Sequence, residues 1–268
     1  MAETQDKDPE YLLTLERGLT VLRAFDQSRP EMQLSEVATV TNLSAAVARR
    51  CLNTLVQLGY VAKIGRKFVL TPEVLVFGSA FLASASIDTV VSEHLQRLRD
   101  ETGDSASISV LSGEDILYLS HIPTKRHIRL NAGVGTRFPA HATSMGKVLL
   151  AYLPAVALEK YLTEARLARF TDHTITSAEM LRRHLHEVRE KGYASSLNEL
   201  DYGLVSVAVP VFDDNGKVLA AINCSTGSSR ISQDEMVRTR LPLLIETAKD
   251  IQLALNKWPV LRHALLGA

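Results

Sequence analysis

Between Glu36 and Glu73 the chain carries no carboxylate, yet Arg49, Arg50, Lys63, Arg66 and Lys67 all fall there. Over the whole chain acids and bases balance, 30 of each in 268 residues. Affinity for DNA comes mainly from neutralising phosphates, so a basic stretch cleared of acids is suited to it, whereas the chain as a whole is no polycation. Spacing sharpens the reading. On a helix over 44–58, Val47, Cys51, Leu55 and Leu58 form the apolar stripe, and Ala45, Ala46, Arg49 and Asn53 lie opposite. Small residues at a helix start permit close approach to base edges, which Arg and Asn read through paired hydrogen bonds. Ser44 is placed to cap that helix, and Arg50 adds charge beside the reading face. Lys63, Arg66 and Lys67 crown a hairpin around Gly65, where a wing meets phosphate or the minor groove. A basic run alone is usually a solvated face; here turn chemistry and element order agree with the charge.

A second run, from Ala140 to Lys147, suits a loop entering a helix. Thr143 and Ser144 bring hydroxyls and free backbone N–H groups to a helix N-terminus, which favours an anion. The same run contains Ser144-Met145-Gly146-Lys147, a Ser-x-x-Lys spacing in which Lys activates a serine nucleophile in penicillin-interacting enzymes. Ser196-Leu197-Asn198 and Ser225-Thr226-Gly227 imitate the companion motifs, but Ser225 stands where a cation should hold the substrate carboxylate. The enzyme is therefore the alternative and a binding site the main reading, with no catalytic residues assigned.

The elements that must position these groups follow from periodicity. Leu12, Leu15, Leu19 and Leu22 predict a first helix ended by Ser28-Arg29-Pro30, and Leu34, Val37, Ala38 and Val40 a second broken at Thr41-Asn42. The helix after Ser44 ends at Gly59, and a hairpin over 60–70 completes a winged helix-turn-helix. Residues 73–86 read as an apolar connecting helix. Beyond it, strands are expected over 107–111, 116–120, 127–131, 206–211 and 218–224, and helices over 90–102, 145–152, 178–191 and 234–256. Thr176 with Glu179 and Ser232 with Glu235 look like capping boxes, and Pro242 should kink the last helix. The expected fold is α+β: 1–72 a winged helix-turn-helix domain, 73–88 a linker helix, 89–268 a sensor domain.

Composition excludes several classes. A hydrophobic share of 46% supports real cores. Cys51 and Cys224 form no disulfide framework, which fits a reducing cytoplasm, and residues 1–10 are polar and acidic, unlike a signal peptide. The most apolar stretch, 204–212, is too short for a membrane span. No pair among His121, His127, His141 and Cys224 has metal-ligand spacing, so neither metal nor cofactor is expected.

The chain resembles the IclR family of bacterial regulators. The resemblance rests on Leu15-Glu16-Arg17-Gly18-Leu19, Leu34-Ser35-Glu36-Val37-Ala38 and Leu55-Val56-Gln57-Leu58-Gly59-Tyr60-Val61. It continues with Gly135-Thr136-Arg137-Phe138-Pro139-Ala140-His141-Ala142-Thr143-Ser144-Met145-Gly146-Lys147 and Val207-Ala208-Val209-Pro210-Val211. Thr-Ser-Met-Gly-Lys at 143–147, with Arg49-Arg50 after two alanines, is similar to the regulators of protocatechuate, 4-hydroxybenzoate and β-ketoadipate catabolism. The resemblance implies a GAF-like effector domain, homodimers able to pair into tetramers, double-stranded operator DNA and RNA polymerase as partners, and a small aromatic or dicarboxylic acid as effector. It also implies the effector residues: Thr143, Ser144, Ser196 and Asn198 on the loop after Tyr193, Ser206 on one strand, and Asn223 and Ser225 on one face of another. Arg137 is available to pair a carboxylate, Phe138 and Met145 to wall the pocket, and His141 lies within the same run.

Overall fold

A computed structural model describes residues 10–26, 28–85, 87–124 and 132–257. It divides into two compact units, one reaching Phe81 and one beginning at Leu82. The division falls inside the apolar segment expected to connect them. That segment is a 3-10 turn, Pro72–Val74, and helix α4, Leu75–Ala85.

The first unit runs α1 (Leu13–Arg23), β1 (Glu31–Gln33), α2 (Leu34–Thr41), α3 (Ala45–Gln57), β2 (Val61–Ile64) and β3 (Lys67–Leu70), with the strands ordered β1-β3-β2. Strand β1 has no counterpart in the sequence reading; three residues are too short for alternation to register. Its Met32 is buried and pairs with Phe68. The core differs from the predicted stripes. Val21, Ala24 and Phe25 of the first helical region are buried, while Leu12, Leu15 and Leu19 are exposed. On α3 the inner face is Ala48, Cys51, Leu52 and Leu55, with Leu58 outside. These helices carry two apolar stripes each, and periodicity does not say which one faces inward. The second stripe, with Leu15, Leu19, Leu58 and Phe77, lines a groove of about 540 Å³.

The second unit opens with α5 (Ile87–Thr102) and builds one antiparallel six-stranded sheet, ordered β6-β5-β4-β9-β8-β7. Its strands are β4 (Ser105–Ser112), β5 (Asp115–Ile122), β6 (Arg137–Pro139), β7 (Ala194–Leu197), β8 (Leu204–Phe212) and β9 (Val218–Gly227). Helices α6 (Ser144–Ala151), α7 (Ala155–Glu164), α8 (Ala178–Lys191) and α9 (Gln233–Asn256) complete it. Strands β6 and β7 and helix α7 were not anticipated, and the strand expected over 127–131 lies outside the described residues. Alternation sorts the faces. Ala106, Ile108 and Val110, with Val205, Val207, Val209 and Ile222, form one face, which α5 and α9 cover. The other face carries Ser105, Ser107, Ser206, Ala208, Asn223 and Ser225, and α6 packs toward it. Ser177 rather than Thr176 caps α8, and Ser232 caps α9 as expected. Helix α9 contains Pro242 and runs continuously past it.

Candidate nucleic-acid interface and ligand cavity

Both ends of α3 are fixed by local chemistry. Asn42, left-handed at φ 53°, ends α2; Ser44 is extended and its Oγ accepts from the Val47 N–H at 3.4 Å. At the far end Gly59 adopts φ 83°, and the N–H groups of Gly59 and Tyr60 donate to the carbonyls of Val56 and Leu55. This pair of bonds is a Schellman stop. The helix so framed leaves Ala45, Ala46, Arg49, Arg50 and Asn53 exposed, and neither arginine has a carboxylate partner among the described residues. In the wing, Lys63 lies over the Phe68 ring at 6.0 Å and Arg66 is exposed in the turn. Lys67 differs: its ammonium donates to Glu31 across the β1–β3 pair, which holds the lysine pKa above its ordinary value. The acid-free window in sequence is therefore not acid-free in space, because β1 brings Glu31 to the wing.

In the second unit a cavity of about 540 Å³ opens between the polar face of the sheet and the start of α6. Strand register arranges its floor in two rows. Ser196, Ser206, Ser225 and Ser105 stand side by side across β7, β8, β9 and β4. The next row is Ala208, Asn223, Ser107 and His121. A register shift in β4 between Ile108 and Ser109 pairs Ser107 with His121 and Ser109 with Tyr118, so both rings reach the cavity side although three positions apart. Spacing along β5 gave no hint of this, which is why neither residue was anticipated. Ser105, Thr124, Ala132, Leu200 and Leu204 were likewise missed and also line the space. Tyr118 meets Phe138 edge-to-face at 5.5 Å. Burial raises the Tyr118 phenol pKa and lowers that of the His121 imidazole, whose Nδ1 lies 2.9 Å from Ser107 Oγ.

Thr143 caps α6, its Oγ1 accepting from the Gly146 N–H at 3.1 Å, and Ser144 Oγ is 2.8 Å from Ser206 Oγ. The helix start packs hard against the preceding turn: a Cβ on Gly146 would lie 2.1 Å from the Ala140 carbonyl oxygen. Asn223 is buried, and among the described residues its Oδ1 has no hydrogen-bond partner. Thus Phe138, Thr143, Ser144, Ser196, Ser206, Asn223 and Ser225 line one cavity. Ser196 does so from strand β7, not from a loop.

Four residues expected there do not line it. Arg137 is exposed and pairs with Asp115 at 3.1 Å while donating to Ser112. His141 points away, with Nε2 3.0 Å from the Ala168 carbonyl. Met145 joins the core on α6 and accepts from Ser109 Oγ at 3.3 Å. Asn198, left-handed at φ 60°, accepts from the Gly203 N–H at 2.8 Å and shapes the β7–β8 turn. Neither does the Ser-x-x-Lys reading hold. Ser144 is bonded to Ser206, while the fully buried Lys147 donates to Glu199.

Residues 14–65 match the IclR helix-turn-helix domain, and residues 79–253 match the family described as bacterial transcriptional regulator IclR C-terminal. The chain belongs to the IclR family of transcriptional regulators. It is 37% identical over 245 residues to the Pca regulon regulatory protein of Pseudomonas putida, covering 91% of this chain and 84% of that one. It is 35% identical over 248 residues to the p-hydroxybenzoate hydroxylase transcriptional activator of Acinetobacter baylyi, covering 91% and 92%. An IclR homolog from Microbacterium hydrocarbonoxydans, solved in complex with 4-hydroxybenzoate, superposes with a TM-score of 0.73 at 25% identity over 91% of this chain and 99% of that one. The regulator thus joins a helix-turn-helix DNA-binding domain to an effector domain. Among its described residues no helix is long and apolar enough to cross a membrane.

Proposed function

We propose that this regulator controls an aromatic-catabolic operon, binding the operator through α3 and the β2–β3 wing and sensing a small aromatic acid in the cavity of the effector domain. One observation carries the reading: a cavity with hydroxyls and a helix start on one side and Tyr118 and Phe138 on the other. Thr143, Ser144 and the first N–H groups of α6 suit a carboxylate, and the aromatic walls suit a ring. The regulators of the Pca regulon and of p-hydroxybenzoate hydroxylase support the same chemistry.

On the DNA side, Ser44, Ala45, Ala46, Arg49, Arg50 and Asn53 face the major groove, and Lys63, Arg66 and Lys67 the backbone, with 73–88 linking 1–72 to 89–268. The exposed leucine row of α1 suits a two-fold pairing of these domains. Half-sites about 34 Å apart follow from such a pairing, with tetramers formed by pairing dimers. The regulator acts in the cytoplasm, alongside RNA polymerase at the promoter. Gel shift on DNA upstream of its gene, with 4-hydroxybenzoate, protocatechuate and β-ketoadipate, tests the whole reading. An acid that changes DNA affinity must have its own affinity changed by the same factor. Absence of DNA binding at low ionic strength, with and without each acid, would overturn it.

A further inference from the structure

We propose that Asn223 is the specificity-determining residue of this cavity, reading a hydroxyl on the effector at the end away from its carboxylate. The proposal rests on the aromatic-acid reading above and goes beyond it, because it states what else the acid must carry. Asn223 is 5% exposed, lines the cavity, and has an Oδ1 without a partner among the described residues. Buried polar atoms are nearly always paired, and each orphan is costly. Its neighbours in the row offer no relief. Ala208 has no polar side chain, and the Ser107 hydroxyl is engaged with His121 Nδ1 at 2.9 Å.

An effector carboxylate cannot fill this gap. Ionised at neutral pH, it only accepts hydrogen bonds, and an orphaned carbonyl oxygen needs a donor. A hydroxyl donates, and it can also accept from the amide nitrogen on the same head. Position agrees with chemistry. Asn223 stands two residues along β9 from Ser225, about 7 Å away for extended chain. Ser225 belongs to the row of Ser206, to which Ser144 at the start of α6 is bonded. A carboxylate at that start and a hydroxyl at Asn223 are then separated by roughly one benzene ring, with Tyr118 and Phe138 beside it.

Calorimetric titration of the full-length regulator with 4-hydroxybenzoate, 3-hydroxybenzoate, 4-fluorobenzoate and benzoate tests this. The wild type should bind one hydroxybenzoate about tenfold or more tightly than benzoate, since a site built to pair a hydroxyl rejects the analogue lacking it. 4-Fluorobenzoate, similar in size but no donor, should behave like benzoate; this arm needs no variant and so does not depend on any variant folding. In Asn223→Ala and Asn223→Leu the preference should fall to within about twofold of unity. Three results overturn the proposal: equal wild-type binding of benzoate and both hydroxybenzoates, fluorobenzoate binding as tightly as the hydroxybenzoate, or a preference that survives both Asn223 variants. Loss of the preference in His121→Gln alone would assign the reading to the imidazole instead. Failure of the wild type to bind any of the four acids would instead remove the aromatic-acid reading itself, and the proposal with it.

Discussion

In the N-terminal unit the groups offered to a ligand stand in water: Arg49, Arg50 and Arg66 are exposed cations. In the effector unit they are enclosed and neutral: Ser144, Ser206 and Asn223 are buried, and no described Lys, Arg, Asp or Glu lines the cavity. The difference follows from the ligand. A polyanion of fixed spacing is met by mobile surface charge, screened by salt and replaceable one residue at a time. A small acid is met by dipoles held in register, where low dielectric strengthens each bond and each unmade bond is a penalty. The first site should therefore fail gradually on mutation, and the second abruptly.

The most abrupt failure is expected at Gly146. A Cβ there would lie 2.1 Å from the Ala140 carbonyl oxygen and 2.4 Å from its Cα, and backbone cannot swing aside. Gly146→Ala should destabilise the effector unit by about 4 kcal/mol or more, the range reserved for such defects. Calorimetric unfolding measures it. A fall in midpoint of less than about 2 °C would show that the start of α6 can relax, and the contrast in rigidity would be lost.

On the DNA side the largest single effect should come from Arg49. Arg49→Ala should cost about 1–3 kcal/mol in operator affinity and relax base preference at one position, leaving effector binding to the free protein untouched. Gel shifts on a set of single-base operator variants read this out. An equal loss on every sequence would move Arg49 from base reading to phosphate contact.

Acid should separate the two units as well. All eight histidines lie beyond residue 82. Burial, with the Lys147 charge adding to it, depresses the His184 pKa from 6.5 to about 4, and burial lowers His121 and His141 too. Between those two pH values the unfolded chain binds a proton that the folded chain refuses, so stability falls as pH drops from about 6.5 to about 4. For His184, partly open to solvent, the loss should be about 1–2 kcal/mol after screening. His184→Gln should flatten that part of the curve in denaturant titrations of the effector unit. An unchanged slope would show that another group titrates there.

The two regions also differed in how far they could be read from the chain. The caps at Ser44 and Gly59, the left-handed Asn42 and the exposed Arg49 and Asn53 were legible because each depends on residues within a few positions. The inward face of α1 was not: its leucines form the better stripe, yet Val21 goes inside. In the cavity, Ser206, Asn223 and Ser225 were found through alternation and family resemblance. His121 and Tyr118 depend on a register shift in the neighbouring strand, which no pattern in β5 encodes. Arg137 was misplaced for a related reason, since the carboxylate of Asp115, at the start of β5, that holds it lies 22 residues back.

The smallest expected effect tests the exposed site at its weakest point. Five cations were counted toward DNA from sequence, but Lys67 already donates to Glu31. Releasing it to a phosphate breaks one ion pair to make another, so Lys67→Ala should lower the salt dependence of DNA binding by well under one charge. Arg66→Ala, with no carboxylate partner among the described residues to surrender, should lower the slope of log affinity against log salt by about 0.9. Glu31→Gln should act the other way, freeing the ammonium and steepening the slope, while surface exposure of the pair leaves stability little changed. If Lys67→Ala and Arg66→Ala reduced the slope equally, the Glu31 pair would have opened on DNA at no cost, and charge counted along the chain would be the better guide to the wing after all.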